Sequence, residues 1–314
     1  MTKPLSICVY GTGAVGLFYS SYLLSCKKCN VHFLLRSDYD AVKDNGITMN
    51  SDVFPDMRFD TSAFSFYKDP SDIKENLDFV LICSKTLYNQ DIITNVLPKL
   101  LQPNTAIVVL QNGLDNEIAF AQAFPSNPVL GGIAFVCATR TAPGVVHHVD
   151  RGGLLLGPHN CSMELVHKFA GLYEGADIDV HTTEDLRTAR FKKLVWNVIF
   201  NGLSVVLSAD TSQLTSLDRL RSVEQLIGNE VIRVAQSVGC EIPSDFVANG
   251  IAVTQKMAKY KTSMLVDYEA KRPLELEYLF YKLLQVADDN NVSVPMCTLL
   301  TAQLEFLDST NRSE

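Results

Sequence analysis

Apolar and polar positions fall into two regimes along this chain. In the first half, apolar runs of strand length (Leu5 to Tyr10, Val31 to Leu35, Phe79 to Cys83, Ala106 to Leu110) alternate with stretches of helical spacing, the first starting near Ala14. Runs that are apolar at nearly every position predict strands buried on both faces, and their alternation with helices predicts parallel strands joined by crossover helices. Val129 to Cys137 and Gly153 to Leu156 read as further strands, with the turn Thr141-Ala142-Pro143-Gly144 between them. From Thr183 onward the spacing is helical, with Thr183 expected to cap the first helix ahead of Glu184 and Asp185, and a last helix follows Pro295. The pattern therefore predicts an α/β protein: a doubly wound parallel sheet over residues 1–182, then a mostly α-helical domain over residues 183–314. Ligands of such folds bind at the carboxyl ends of the strands and in the cleft between domains, so the active site is expected there.

Composition narrows the class. With 314 residues and 47% hydrophobic content the chain can bury two cores. A formal charge of −8, with both signs mixed along the sequence, argues against nucleic acid and leaves a small molecule as the expected partner. The longest apolar stretch, Leu194 to Ala209, is interrupted by polar residues and falls short of the roughly 20 apolar residues a bilayer span needs, so it reads as a buried helix and no membrane partner is expected. The N-terminus runs straight into a strand without a cleavable apolar segment, and the expected address is cytoplasmic. The eight cysteines are scattered, several inside apolar runs, and read as free thiols. Cys26 and Cys29 form a lone CxxC without a second pair or a nearby His, and no metal is expected. Oligomeric state stays open, a homodimer among the options.

The segment SICVYGTGAVGLFYSSYLL sets Gly11, Gly13 and Gly16 in GxGxxG spacing between a strand and a helix. In a Rossmann-type domain the first glycine permits the tight turn, the second admits the pyrophosphate to the backbone, and the third lets helix and strand pack closely. Thr12, Ala14 and Val15 complete that loop, with the helix N-terminus toward the phosphates. About 20 positions further on, where an acidic residue would hold the ribose of NAD, this chain has Arg36 and then Ser37, which suit a 2′-phosphate and hence NADP. The first carboxylate after them is Asp38.

A second constellation lies in RFKKLVWNVIFNGLSVVLSAD. On a helix that is otherwise apolar nearly all round, Lys193, Asn197, Asn201 and Ser204 share one face. Polar groups in a core need partners, so the stripe is either a structural network or the wall of a site. A lysine beside two amides suits a small carboxylate bearing a carbonyl, because the ammonium can donate a proton while the amides hold oxygens. Lys192 points about 100° away and is expected in solvent.

These residues resemble the ketopantoate reductase family from residue 6 to about residue 300. The family's motifs recur in order: GxGxxG, Lys85 after FVLICSK's strand, Gln111-Asn112-Gly113, ATRTAPGVVHH, KLVWNVIFN and SMLVDYEAKRPLELEY. The resemblance implies Lys193 as general acid and Asn197, Asn201 and Ser263 as substrate contacts. It implies that Asn112 meets both cofactor and substrate, that Glu275 contacts the cofactor and helps organise the catalytic site, and that Ala138 and Lys85 contact the cofactor. The implied reaction is reduction of 2-dehydropantoate by NADPH. Two departures bear on substrate identity: Gly202 stands where the family commonly has Pro, and Thr211 where it often has a substrate-binding Asn. The alternatives are a related 2-ketoacid reductase, a β-hydroxyacid dehydrogenase, and a non-catalytic NADP(H)-sensing protein. The QNG and TAPGVVHH segments oppose the dehydrogenase, and the retention of Lys193, Asn197, Asn201, Ser263 and Glu275 together opposes the sensor.

Overall fold

A computed structural model describes residues 3–257 and 259–312 of the chain. Its centre is a ten-stranded sheet built from β1 (Leu5–Tyr10), β2 (Cys29–Leu34), β3 (Ile47–Ser51), β4 (Met57–Phe59), β5 (Ser65–Tyr67), β6 (Phe79–Ile82), β7 (Ala106–Val109), β8 (Val129–Ala142), β9 (Val145–Pro158) and β10 (Val180–Thr182). The order is β4-β3-β9-β8-β7-β6-β1-β2-β5, with β10 beside β9. From β5 through β2, β1, β6 and β7 to β8 every pairing is parallel. The strand order reverses between β1 and β6, which opens the crevice such sheets use for ligands beyond their carboxyl ends.

The expected parallel sheet is extended by a long antiparallel hairpin, β8 with β9, which turns at Pro143-Gly144 with Gly144 at φ 72°. β3 then adds in parallel to β9, and β4 antiparallel to β3. The reading by pattern passes over β3, β4, β5 and β10, because short peripheral strands rich in polar residues lack the near-continuous apolar signal of the centre.

Period-two alternation explains how the central strands serve two cores. Ile7, Val9, Phe79, Leu81, Ala106 and Val108 face one layer with Leu17, Phe18 and Tyr22 of the helix Ala14–Cys26, hereafter α1. Their neighbours Cys8, Tyr10, Val80, Ile82, Ile107 and Val109 face the other, with Ile92, Leu97 and Phe120.

The chain divides into two units, residues 1–111 with 116–186, and residues 112–115 with 187–314. Among its described residues the second is helical. Its first long helix runs through Leu186–Trp196, a π-helical turn Asn197–Asn201, and Gly202–Leu207. It starts at Leu186 rather than just after Thr183: the Thr183 hydroxyl accepts the Asp185 N–H at 3.1 Å, a local turn ahead of the helix instead of its cap. Val198, Ile199 and Phe200 anchor a core with Val231, Phe280, Leu283 and Cys297. The helix Asp218–Ser237 crosses at Gly228, where a Cβ would come within 2.6 Å of Val247 and 3.0 Å of Ile199. Glu230 accepts the N–H groups of Met296 and Cys297 at 3.1 and 2.8 Å, capping the helix Pro295–Asn311 from a distance. No described helix is long and apolar enough to cross a membrane.

Candidate active site

Steric facts explain the glycine loop. Gly11 sits at φ 100°, and a Cβ there would lie 2.2 Å from the backbone nitrogen of Ser84, in the segment after β6. At Gly16 a Cβ would lie 2.0 Å from the Gly11 carbonyl oxygen, so a side chain at either position would break the β1–α1 turn. Gly13 is different: it occupies the N-cap position of α1 and nothing lies within 4 Å of its would-be Cβ. No side chain caps that helix end and no acidic residue occupies its first turn. An uncapped helix end, with orphan N–H groups and the positive end of the dipole, beside the open space at Gly13 fits a pyrophosphate.

Around this loop the ends of β2, β6 and β8 supply side chains. Arg36 is exposed beyond β2, its guanidinium 5.1 Å from the centre of the Tyr88 ring. Burial pushes the Tyr10 phenol up, and the neighbouring Arg36 opposes the shift. Lys85 is half-buried just after β6 and leads into the 3-10 turn Thr86–Tyr88. Gln111 ties the end of β7 to this segment, donating to the Ser84 carbonyl at 2.9 Å and to Asn89 Oδ1 at 2.7 Å. Ala138 lies half-buried at a register irregularity of β8, opposite His148. His148 is fully buried between Ser51 and the Asp150 carbonyl, bonded to each at 2.8 and 2.9 Å, a structural role.

Pattern reading missed the partners of Asp38. Its carboxylate is buried, accepting from Arg140 Nη2 at 2.6 Å, from Ser37 Oγ at 3.0 Å, and from Thr12 Oγ1 at 3.4 Å. Nothing in the spacing of these residues announces that pairing, because it depends on β8 passing near the end of β2.

In the helical unit, the polar stripe is local in origin but not regular. The π turn Asn197–Asn201 inserts a wider turn into the helix, so the uniform α-helical spacing expected from Lys193 to Ser204 does not hold. Asn197, Asn201 and Ser204 are all buried. Asn197 Nδ2 is solvent-free and finds no acceptor among the described residues. The Ser204 hydroxyl bonds the Asn201 carbonyl at 3.0 Å and Thr262 Oγ1 at 2.6 Å, and Thr262 in turn caps the helix Ser263–Glu269 through the Leu265 N–H at 3.2 Å. Ser204 therefore sets the helix that begins with the exposed Ser263. Lys193 and Lys192 are both half-buried, so Lys192 is not the fully solvated residue expected. Lys193 Nζ lies 5.1 Å from the ring centre of Trp196, whose own Nε1 donates to Thr254 Oγ1 at 3.1 Å.

The π turn Asn197–Asn201 packs against both the helix Ser263–Glu269 and a second π turn, Glu277–Tyr281. Glu275, half-buried, precedes that second turn closely. The segment of Asn112 meets it too: the Leu114 N–H donates to the Tyr278 carbonyl at 2.9 Å, and Gly113, at φ 106°, could carry no Cβ without coming within 2.4 Å of that oxygen. Asn112, Asn197, Asn201, Ser263 and Glu275 are thus on elements that pack together in one unit. Thr211 is buried with its hydroxyl on the Tyr260 carbonyl at 3.2 Å, so the residue in place of the family's Asn braces a loop.

A dinucleotide-type sheet followed by a helical unit in which a half-buried lysine precedes buried amides on one helix defines a two-part, nicotinamide-dependent oxidoreductase. Comparison with known proteins makes this specific. The family model described as ketopantoate reductase PanE/ApbA matches residues 7–160, and its C-terminal counterpart matches residues 185–308. The chain is 35% identical over 311 residues to a 2-dehydropantoate 2-reductase of Nostoc sp. (strain PCC 7120 / SAG 25.82 / UTEX 2576), covering 97% of this chain and 96% of that one. Crystal structures of 2-dehydropantoate 2-reductases from Methylococcus capsulatus (36% identity, TM-score 0.87, 98% of each chain) and Geobacter metallireducens GS-15 (34%, 0.89, 96% and 99%) are similar throughout. The chain belongs to the ketopantoate reductase family.

Proposed function

We propose that this protein reduces 2-dehydropantoate to pantoate with NADPH in the cytoplasm, as a step toward pantothenate and coenzyme A. The observation that carries the reading is the buried amide nitrogen of Asn197, on the same helix as Lys193, which finds no acceptor among the described residues. A buried donor without an acceptor is costly in a protein that has no use for it, and a substrate oxygen would satisfy it.

The open helix end at Gly13, with Thr12, Ala14 and Val15 around it, supports binding of the pyrophosphate, and Arg36 supports the choice of a 2′-phosphate. Lys85 and Ala138 line the same strand ends. Bound there, NADPH would supply the hydride for the ketone carbon. Lys193 then stabilises the developing alkoxide and donates its proton, while Asn197, Asn201 and Ser263 hold the carboxylate and hydroxyl oxygens in the reactive orientation. Asn112 contacts both ligands, and Glu275 contacts the cofactor and helps organise the catalytic site. A panel of 2-ketoacids assayed with NADPH and NADH tests this: ketopantoate with NADPH should give the highest kcat/KM. Thr211 in place of Asn favours a second reading, a related branched 2-ketoacid, which the same panel separates. Preferential oxidation of a 3-hydroxyacid by NAD, or tight NADPH binding with no turnover on any ketoacid, would defeat both.

A further inference from the structure

Dinucleotide-binding domains that use NAD place a carboxylate at the end of the second strand to accept the ribose hydroxyl. This chain has such a carboxylate, Asp38, in the segment that carries Arg36, and it lies against the glycine loop, with the Thr12 hydroxyl donating to its Oδ2 at 3.4 Å. Yet Asp38 is buried, and Arg140 from β8 holds Oδ1 at 2.6 Å while Ser37 Oγ shares that oxygen at 3.0 Å. Both oxygens are committed to protein donors. An ion pair of this kind fixes direction as well as charge, because the guanidinium nitrogen must stay on the carboxylate's lone pair.

We propose that Arg140 is a specificity-determining residue: by sequestering Asp38 it keeps an NAD-type carboxylate away from the ribose, leaving Arg36 alone to read that end of the cofactor. The inference rests on the NADPH reading above. Its physical content is a balance of charge at one turn. With Arg140 in place, Asp38 is neutralised and Arg36 presents a net cation to a 2′-phosphate. Without Arg140, the carboxylate is left with two hydroxyl donors, is free to rotate outward, and would repel a phosphate while accepting a ribose hydroxyl. Arg140 here positions another residue and need not touch the cofactor. Asp40 does not substitute for Asp38, since it is exposed and paired with Lys68 at 3.2 Å.

Calorimetric binding to the unliganded full-length protein tests this without turnover, using adenosine 2′,5′-bisphosphate against ADP. The wild type should prefer the bisphosphate. Arg140→Met should weaken the bisphosphate by roughly tenfold or more, the scale of one unscreened like charge a few ångströms from the phosphate, while ADP holds or tightens. The double variant Arg140→Met/Asp38→Asn should regain most of the lost affinity, because the offending charge is gone. Equal weakening of both ligands in single and double variants would mean a merely structural brace and overturn the proposal. A double variant that stays as weak for the bisphosphate as Arg140→Met would mean that Arg140 grips the phosphate itself, and overturns it too. If Arg140→Met keeps the wild-type preference, this inference fails while the NADPH reading stands. A wild type with no preference removes both.

Discussion

The glycine loop after β1 and the polar stripe of the helical unit are built in opposite ways. The loop works through atoms that are missing: a Cβ at Gly11 or Gly16 would collide with backbone at 2.2 and 2.0 Å, while at Gly13 it would meet nothing within 4 Å. The stripe works through atoms that are present, polar side chains held inside an apolar core around Val198, Ile199 and Phe200. Substitutions in the loop therefore act by adding atoms, and their effect depends on whether the new atom strikes protein or ligand. Substitutions of Lys193, Asn197 or Asn201 act by deleting groups, and should strike chemistry before fold.

The largest expected effect falls on the stripe. A positioned general acid contributes on the order of 10²–10⁴-fold, so Lys193→Ala should lower kcat by about that factor with little change in NADPH affinity or melting temperature. Lys192→Ala, which removes a half-buried lysine one residue away, should do far less. Steady-state kinetics on both variants decides it: near-normal kcat in Lys193→Ala, or abolition by Lys192→Ala alone, would show that the wrong lysine has been assigned.

In the loop, Gly11→Ala should be the damaging change. A positive φ costs a non-glycine residue about 1–3 kcal/mol, and the contact with Ser84 adds to it. Gly13→Ala should leave thermal stability nearly intact yet weaken cofactor binding, because the methyl group projects into the space offered to the pyrophosphate. Melting curves with and without NADPH separate the two. A Gly13→Ala protein that loses stability as much as Gly11→Ala would erase the contrast between added atoms that strike protein and added atoms that strike ligand.

How much of this was legible beforehand follows from the same contrast. The GxGxxG loop, the central strands and the KLVWNVIFN stripe are local patterns: each is imposed by neighbours in sequence, and each was readable from Gly11, from Ile7 to Tyr10, or from Lys193 and the amides after it. What the pattern could not give is whatever depends on distant chain segments. Asp38 looks like an ordinary surface residue until Arg140 arrives on β8, and Ser204 looks like one more member of the stripe until Thr262 shows it to be a tie. The π turn at Asn197–Asn201 was equally hidden, since it preserves helical composition while changing the geometry.

Outside the stripe, the helical unit buries another unpartnered group, Glu224, and it gives a control. Neither of its oxygens has a hydrogen-bond partner among the described residues. Burial pushes its carboxyl up from 4.5 to about 7, opposed only in part by Arg221. Because the folded-state value lies above the unfolded one, the folded protein holds the proton more tightly, so stability is fully present below pH 4.5 and falls as pH rises toward 7. The shift corresponds to roughly 3 to 4 kcal/mol. Thermal unfolding from pH 5 to pH 8 should show that decline in the wild type and a flatter profile in Glu224→Gln, with kcat unchanged. Parallel profiles would mean that Glu224 is hydrated or paired in solution.

The smallest expected effect on stability, and the most telling, is at Asn197. Like Glu224 it is buried, and its Nδ2 has no acceptor among the described residues, but it lies on the stripe, where a ligand oxygen can complete it. An amide locked in a structural network would cost about 1–3 kcal/mol to remove. Asn197 Nδ2 has no such bond to lose, and Asn197→Ala relieves an unsatisfied donor while leaving a small cavity, so the two terms oppose each other and the net change should stay within about 1 kcal/mol. Substrate binding has no such compensation. With the donor gone, the ketoacid oxygen it served is left buried and unbonded, and KM should rise by roughly tenfold, the factor set by one hydrogen bond to a charged group. Melting temperature and KM measured on the same preparation give the answer. A large loss of stability with near-normal KM would turn the stripe back into a structural network, and with it the distinction between a loop that acts by absence and a helix that acts by presence.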